Sequence, residues 1–207
     1  MKSTAKPDRD WAGFSLLELL IVLAIMLVVI AIVAPMSMTA ISSARLRYAA
    51  LSFAGLIQDS RIEAVKKNTY YSISPRAMAD GTTAYYVDLA APNARPSTFS
   101  TTYPFAYMGP TVTWYFGQTG PAPAQAALVT ALNFVPEPAG TVPTFNARGL
   151  PCVATASLTC PATPNVGFVT FVSRASAFGG LNWKAVAVTP SGRVQVWGYD
   201  GTTWFQQ

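Results

Sequence analysis

Hydrophobic and polar positions divide the chain into an unbroken apolar run, a helical alternation and a series of short β-type runs. The first of these, residues 19–34, reads LLIVLAIMLVVIAIVA and has no polar side chain. A helix of these 16 residues is ~24 Å long, and the wider span 14–38 extends it to ~37 Å, enough to cross a ~30 Å hydrocarbon layer. The pattern predicts a transmembrane helix over residues 14–38.

Residues 39–67 continue with the pattern of an amphipathic helix. Apolar or small residues recur at three- and four-residue intervals, at Leu46, Ala49, Ala50, Phe53, Ile57 and Ala64. The polar face between them carries Arg45, Gln58, Asp59, Arg61, Glu63, Lys66 and Lys67. Half of this helix is therefore expected to pack on a domain, with Lys66 and Lys67 in its last turn and Asn68 as its cap.

Pro35 lies where the two helical patterns meet. Because proline lacks an N–H and clashes with the preceding turn, a helix kink at Pro35, or local unwinding over residues 32–35, is expected. The alternative is that the membrane helix ends there. The amphipathic pattern that resumes after residue 38 favours one continued helix of about 54 residues, ~80 Å long.

The composition changes at Asn68, since 14 of the 16 prolines and 21 of the 25 Phe, Trp and Tyr residues lie in residues 68–207. Aromatic and β-branched runs separated by turn residues predict short strands. The runs are 69–74, 83–89, 111–116, 132–135, 166–172, 183–188 and 193–199, with a short final strand at 203–205. Residues 189–192 are expected to form a hairpin turn and Asp200-Gly201 a second tight turn. The segment 90–164 is expected to form long loops around one or two strands.

Together these elements predict an α+β fold in which a long N-terminal helix packs on an antiparallel β-sheet head. Aromatic side chains cluster in the head at Phe99, Tyr103, Phe105, Tyr107, Trp114, Tyr115 and Phe116. Core packing is the favoured use of these side chains, and an exposed adhesive surface is the alternative.

Composition limits the chemistry that the chain can perform. Only 11% of the residues are charged, there is no histidine, and there are two cysteines and nine acids. These numbers leave little material for acid/base, nucleophilic or metal catalysis, so neither an enzyme nor a cofactor or metal site is expected. The formal charge is +5, and removal of residues 1–13 leaves eleven bases and seven acids. Such mild basicity is not typical of nucleic-acid binding.

Glu18 is the one charge between residues 14 and 44. An ionised carboxylate in hydrocarbon costs at least ~2.5 kcal/mol, so such a group usually marks a function or finds a cation. The nearest downstream cation, Arg45, lies 27 positions away, which is ~40 Å along a helix. A secretory signal peptide is the alternative, but its small-residue cleavage site follows the apolar run, whereas Ala12-Gly13 precedes it.

The N-terminal motif resembles the class III signal of type IV prepilins and type II secretion pseudopilins. A Lys-containing leader ends at Gly13, and Phe14-Ser15-Leu16-Leu17-Glu18 with the apolar run follows it. The resemblance implies that a prepilin peptidase cuts after Gly13 and N-methylates Phe14, and that Glu18 serves filament assembly. The cut creates an α-ammonium at Phe14, which the Glu18 of a neighbouring subunit can neutralise in an apolar core.

A narrower resemblance links two segments to GspH/FimT-type pseudopilins and minor pilins. Residues 59–68, DSRIEAVKKN, are similar to the helix end of that group, and residues 188–194, VTPSGRV, to its C-terminal hairpin. The chain then divides into a leader (1–13), a transmembrane and assembly helix (14–38), an amphipathic continuation (39–67) and a β-rich head outside the cytoplasm (68–207). The implied partners are other pilin or pseudopilin subunits, prepilin peptidase, an inner-membrane assembly platform and the lipid bilayer.

Cys152 and Cys160 are separated by seven residues. In a head outside the cytoplasm, a disulfide is the favoured interpretation, because it would restrain the segment between them. A metal site, for which no further Cys or His is available, and a redox pair, which usually has CxxC spacing, are the alternatives.

A DNA-uptake receptor at a pilus tip is the second functional hypothesis. Some FimT-like proteins bind DNA through a GRxR motif, which Gly192-Arg193-Val194-Gln195 matches except at its last position. Arg193, Lys184 and Arg148 are the candidate DNA-binding residues, and scattered solvated charges are the favoured interpretation of these side chains. A membrane enzyme is a third functional hypothesis. A calcium-binding loop at Asp200 is disfavoured because a calcium site needs several oxygen ligands and this turn has one carboxylate. The motifs do not separate a pilus from a secretion pseudopilus.

Overall fold

A computed structural model describes residues 14–79, 82–87, 102–109, 111–117, 122–137, 141–153, 160, 166–175 and 180–207. The expected leader, including the cleavage residue Gly13, lies outside the described residues, as does Phe99. The architecture is α+β, as predicted: a long N-terminal helix packs on two antiparallel sheets of five strands each.

Helix α1 spans Leu16–Lys66, and its 51 residues form one continuous helix of ~76 Å. Ser15 is the N-cap, and Lys67 is the C-cap. Asn68 follows with φ +49°, the left-handed conformation that ends many helices and that Asn tolerates better than most residues. The helix passes through position 35 without a break, so the predicted continuation is confirmed, and the kink at Pro35 stays a prediction.

The C-terminal half of α1 packs on the head through the stripe that the sequence predicts. All six apolar positions of that pattern are buried: Leu46, Ala49, Ala50, Phe53, Ile57 and Ala64. Phe53 is in the middle of this core, with its ring centroid 4.8 Å from that of Trp114 and 5.3 Å from that of Tyr85. Burial of this stripe is the main reason why the helix holds the head, since apolar area removed from water stabilises by ~25 cal/mol per Å².

The first sheet contains β1 (Tyr71–Ala77), β2 (Thr83–Val87), β3 (Phe105–Tyr107), β5 (Thr144–Phe145) and β6 (Pro151–Cys152). The strand order is β3-β2-β1-β5-β6, and the pairs Ile73 with Val87 and Tyr71 with Phe145 set the register. Tyr71 and Ile73, alternate residues in the first half of β1, are buried in the core around α1. This sheet therefore forms one wall of the core around α1.

The second sheet contains β4 (Val112–Phe116), β7 (Phe168–Ala175), β8 (Leu181–Val188), β9 (Val194–Tyr199) and β10 (Trp204–Gln206), in the order β10-β9-β8-β7-β4. Strands β7 and β8 are buried on both faces. Phe168, Val186 and Val188 join the core around α1, whereas Phe171 and Ala185 join a second core on the opposite face. Coverage on both sides explains why these strands read as nearly continuous apolar runs.

Helix α2 (Gln125–Leu132) covers that second face. Leu128 and Leu132, four residues apart on one side of α2, are buried against the aromatic and aliphatic side chains of the sheet. The prediction of a strand at 132–135 is wrong. Ala- and Leu-rich residues before it are good helix formers, and Asn133, at φ +58°, ends the helix at the point where the strand was expected to begin.

The other predicted strands are confirmed to within three residues at each end, including the short final strand, which is β10. Residues 88 and 89 of the predicted strand 83–89 lie outside the described residues. Residues 189–192 form the predicted β8–β9 hairpin turn, in which Gly192 N donates to Thr189 O at 2.7 Å and Gly192 has φ +81°. Strands β3, β5 and β6, of two or three residues, lie in the segment that was expected to be mostly loops.

Candidate functional site

The N-terminal half of α1 has no contact that buries it against the head. Every described side chain from Leu16 to Ile41 is exposed except Thr39, which is half-buried. The most apolar 18-residue window of α1 has a mean hydropathy of 3.3 and none of it is buried. By length and composition α1 is the one helix in the described part of the chain that is able to cross a membrane. An apolar surface of this size requires a partner that is itself apolar, either lipid or other helices.

Glu18 lies in the first turn of this exposed half. Ser15 Oγ accepts a hydrogen bond from Glu18 N at 3.1 Å, so the two residues occupy the N-cap and N3 positions of α1. The spacing is that of a capping box, S-x-x-E, which was present in the sequence but was not used to predict the helix start. A carboxylate here also interacts favourably with the positive end of the helix dipole.

The carboxylate of Glu18 has no ion-pair partner in the described ranges. Arg45, the next charged residue along α1, is ~40 Å away, as the sequence indicates. Phe14, which precedes the N-cap, is exposed and extended from the helix.

Cys152 and Cys160 form a disulfide, with their Cα atoms 5.8 Å apart. Cys152 is buried in strand β6 and lies opposite Thr144 of β5. The disulfide therefore anchors the chain near residue 160 to the edge of the first sheet. The prediction of this pairing is confirmed.

Two of the three candidate DNA-binding residues lie at one end of the head. Arg148 and Arg193 are exposed in the turn before β6 and the β8–β9 turn. The glycines beside them, Gly149 and Gly192, approach closely, since a Cβ on Gly192 would be 3.0 Å from the carbonyl oxygen of Gly149. Arg61 of α1 joins the two turns by donating from Nη1 to Gly192 O at 3.0 Å.

The fold does not bring the third candidate, Lys184, to the end of the head that carries Arg148 and Arg193. Its Nζ donates to Gln207 Oε1 at 2.8 Å, and burial, with the positive charge of Arg47, lowers its pKa. Arg47 precedes Arg61 by 14 positions on α1, which is ~21 Å. Lys184 lies in the middle of β8, whereas Arg193 follows the turn at the end of that strand, so the three residues do not form one surface.

Asp200 closes a tight turn, as the sequence predicts. Its Oδ1 accepts hydrogen bonds from Thr202 N and Thr203 N, both at 2.8 Å, and Oδ2 accepts one from Thr203 Oγ1 at 3.1 Å. These bonds, led by those from the two backbone N–H groups, lower the pKa of Asp200. Both carboxylate oxygens thus have partners from the turn itself.

Comparison of the chain with family models, with curated proteins and with solved structures finds no significant match. A long apolar N-terminal helix followed by antiparallel sheet is compatible with a pilin-like architecture.

Proposed function

We propose that this chain is a structural subunit of a type IV pilus or type II secretion filament, of the minor pilin or GspH/FimT-type pseudopilin class. In this proposal residues 14–38 hold the chain in the inner membrane with its head outside the cytoplasm. Prepilin peptidase removes residues 1–13 and methylates Phe14, and an assembly platform then transfers the subunit into the filament, where the first halves of such helices pack together.

The observation that carries the proposal is the division of α1 into two halves. In this continuous helix the C-terminal half has one apolar stripe buried in the head, whereas the N-terminal half is exposed and almost uniformly apolar around its circumference. A helix that is apolar all round is stable only in lipid or inside a larger assembly. Movement from one of these environments to the other requires no change in the head.

In this proposal Glu18 makes filament assembly depend on a neighbouring subunit that has been cleaved. In lipid the carboxylate lies at the end of the span, where water and headgroups are within reach, but in a filament core it is surrounded by apolar helices. An ionised carboxylate there requires a cation, and the described chain supplies none near it. The α-ammonium of a neighbouring Phe14 meets this requirement, and it exists only after cleavage.

The test compares Glu18→Gln with Ser15→Ala. Glutamine is accepted at N3 of a capping box, so Glu18→Gln removes the charge and keeps the helix start, whereas Ser15→Ala removes the cap and keeps the charge. We expect Glu18→Gln to insert and be cleaved normally and to be depleted at least tenfold from sheared or purified filaments. Ser15→Ala should assemble as the wild type does.

Equal depletion of both variants would mean that Glu18 acts only through the helix start, and normal assembly of Glu18→Gln would refute the charge pairing. Immunoblots of the membrane and filament fractions give both quantities.

The alternative, a DNA-uptake subunit, draws support from the adjacent turns that carry Arg148 and Arg193. A salt-dependent shift of duplex DNA by the full chain, lost in Arg193→Ala, would favour it.

A further inference from the structure

Two hydrogen bonds fix the direction of the head relative to α1. Ser42 Oγ donates to Ala175 O, at the end of β7, over 3.5 Å, and Arg61 Nη1 donates to Gly192 O, in the β8–β9 turn, over 3.0 Å. Ser42 and Arg61 are 19 positions apart, ~28 Å along the helix. The end of the head that contains Ala175 and Leu181, the first residue of β8, therefore faces the apolar half of α1. It is called the proximal face below.

The charges along α1 place this face at the height of a bilayer surface. Glu18 and Arg45 are separated by 26 residues with no charged side chain, and the ~40 Å between them equals the thickness of a bilayer with its headgroups, ~40–45 Å. When Glu18 lies at one headgroup layer, Arg45 lies at the other. The first residues of α1 that the head covers, Ser42 and Leu46, are on either side of this level.

The proximal face is basic. Arg45 and Arg47 are exposed on α1, while Arg174 of β7 and Lys184 of β8 are half-buried beside the helix. The pKa of Lys184 is lowered by burial and by Arg47, so these side chains are close enough to repel one another. From residue 19 to residue 58 the sequence contains no acid, and neither do β3, β4, β7 and β8. Asp200, which follows β9, also lies at this end of the head by the register of β8 and β9, and its carboxylate is hydrogen-bonded within its own turn. The four cations therefore outnumber the acid that the described strands bring to this face.

A cavity of about 550 Å³ opens between α1 and the edges of the two sheets on this face. Arg45 and Arg174 contribute the charged part of its lining, and Tyr48, Tyr107, Met108 and Val112 contribute much of the rest. Tyr48 is 73% exposed and Tyr107 is 42% exposed. Tyr side chains are favoured at membrane interfaces because one end is apolar and the other accepts water or headgroups.

We propose that the proximal face is a docking surface for anionic phospholipid headgroups, with Arg45, Arg47 and Arg174 binding the phosphates and the cavity receiving one lipid. The inference rests on the membrane anchoring in the proposed function and adds to it a preferred lipid and a fixed position of the head on the bilayer. Charge complementarity and the ~40 Å charge spacing both favour a lipid surface as the occupant. Release from this surface would be a step that precedes entry into a filament.

The experiment counts lipids that stay bound to the full chain. The protein is extracted from vesicles of equal phosphatidylglycerol and phosphatidylcholine, and the retained lipids are counted by native mass spectrometry. Arg45→Gln/Arg47→Gln is the test variant, since both side chains are exposed on a helix and their loss leaves the fold intact. Arg148→Gln/Arg193→Gln removes the same charge from the opposite end and is the matched control.

We expect the wild type and the control variant to retain phosphatidylglycerol in preference to phosphatidylcholine. The test variant should lose this preference by about fivefold for each arginine, the factor that corresponds to ~1 kcal/mol per basic residue at an anionic surface. Arg174→Gln should reduce it by a similar factor. Equal retention of the two lipids by the wild type, or equal loss in test and control variants, would overturn the proposal.

Whether the chain stays with the vesicles after alkaline extraction distinguishes failure of this inference from failure of the proposed function. A wild-type chain that resists alkaline extraction from the vesicles but shows no lipid preference overturns the docking surface alone. A chain that is washed off overturns both. If Arg45→Gln/Arg47→Gln keeps the lipid preference and is instead lost from filaments, the proximal face is a contact between subunits and the lipid proposal is wrong.

Discussion

The two halves of α1 belong to one continuous helix and differ in how their apolar side chains are arranged around it. Residues 42–66 alternate apolar and polar positions, and the apolar ones are buried by the head. Residues 16–41 are almost uniformly apolar, and the head covers none of them apart from part of Thr39. The length of a helix therefore does not indicate whether it packs on a domain or faces an apolar environment. What distinguishes the halves is whether the apolar side chains occupy one stripe or the whole circumference.

The different arrangement of apolar side chains also predicts that the two halves of α1 have different roles. The stripe stabilises the head, so substitutions in it are expected to act on folding. The almost uniformly apolar half is left uncovered by the head except at Thr39, so substitutions elsewhere in it are expected to act on membrane insertion and assembly. The following predictions test this separation with paired substitutions.

The largest effect is expected from two charges in the apolar half. Val29 and Leu51 are similarly exposed within the chain, at 52% and 48%, but only Val29 is expected to face hydrocarbon. Val28→Lys/Val29→Lys costs ~5–7 kcal/mol of insertion free energy, at ~2.5–3.5 kcal/mol for each lysine at the centre of a span. Leu51→Lys/Ile62→Lys, on the exposed side of the second half, should have almost no effect.

Alkaline extraction of membranes measures this difference. The first double variant should be largely released, and the second should stay with the wild type in the pellet. Retention of both would mean that the apolar half is not what holds the chain in the bilayer.

A smaller effect, on folding, is expected from one leucine in each half. Leu56 is 2% exposed and Leu23 is 52% exposed. Leu56→Ala should destabilise the head by ~2–5 kcal/mol because it leaves a cavity, whereas Leu23→Ala should leave the unfolding midpoint of the head unchanged. Thermal unfolding of the full chain in detergent, followed by near-ultraviolet circular dichroism, compares them. A similar loss in both variants would remove the distinction between the halves.

The smallest effect is expected outside α1, in the turn at Asp200. The pKa of Asp200 in the folded chain is lowered by hydrogen bonds from Thr203 N and Thr202 N. Its charge therefore stabilises the head above the unfolded pKa of ~3.9, and this contribution is lost as the pH falls toward the folded pKa. The difference in unfolding midpoint between wild type and Asp200→Asn should shrink below pH ~4. A difference that is constant from pH 7 to pH 3 would contradict the assigned charge.

Much of the fold is predictable from the sequence because its signals are local. The apolar stripe of α1, the hairpin at 189–192 and strands β7 to β9 each follow from the spacing of residues close in the chain. Strands β3, β5 and β6 do not, because each has only two or three residues and exists through its pairing with a distant segment. Helix α2 was missed since the aromatic and β-branched residues 134 and 135 suggested a strand beside it.

Some features of the candidate site can likewise be predicted from the sequence, and others depend on the fold. The exposed half of α1 and Glu18 are visible in the sequence because an apolar run and a lone acid need no knowledge of the fold. The basic proximal face is not, because Arg45 and Arg174 are separated by more than a hundred residues and meet only when α1 packs on β7. Conversely, Arg148, Lys184 and Arg193 were candidates for a DNA-binding surface against a default of scattered charges, and the fold places Lys184 in the middle of β8, away from the other two.

The central claim is that cleavage after residue 13 creates the cation that Glu18 requires in the assembled filament. Mass spectrometry of the N-terminal peptide from chains in purified filaments tests it most directly. The account predicts a peptide that begins at Phe14 and carries an N-methyl group. Filaments whose subunits retain residues 1–13 would contradict it, because Glu18 would then have no α-ammonium to neutralise.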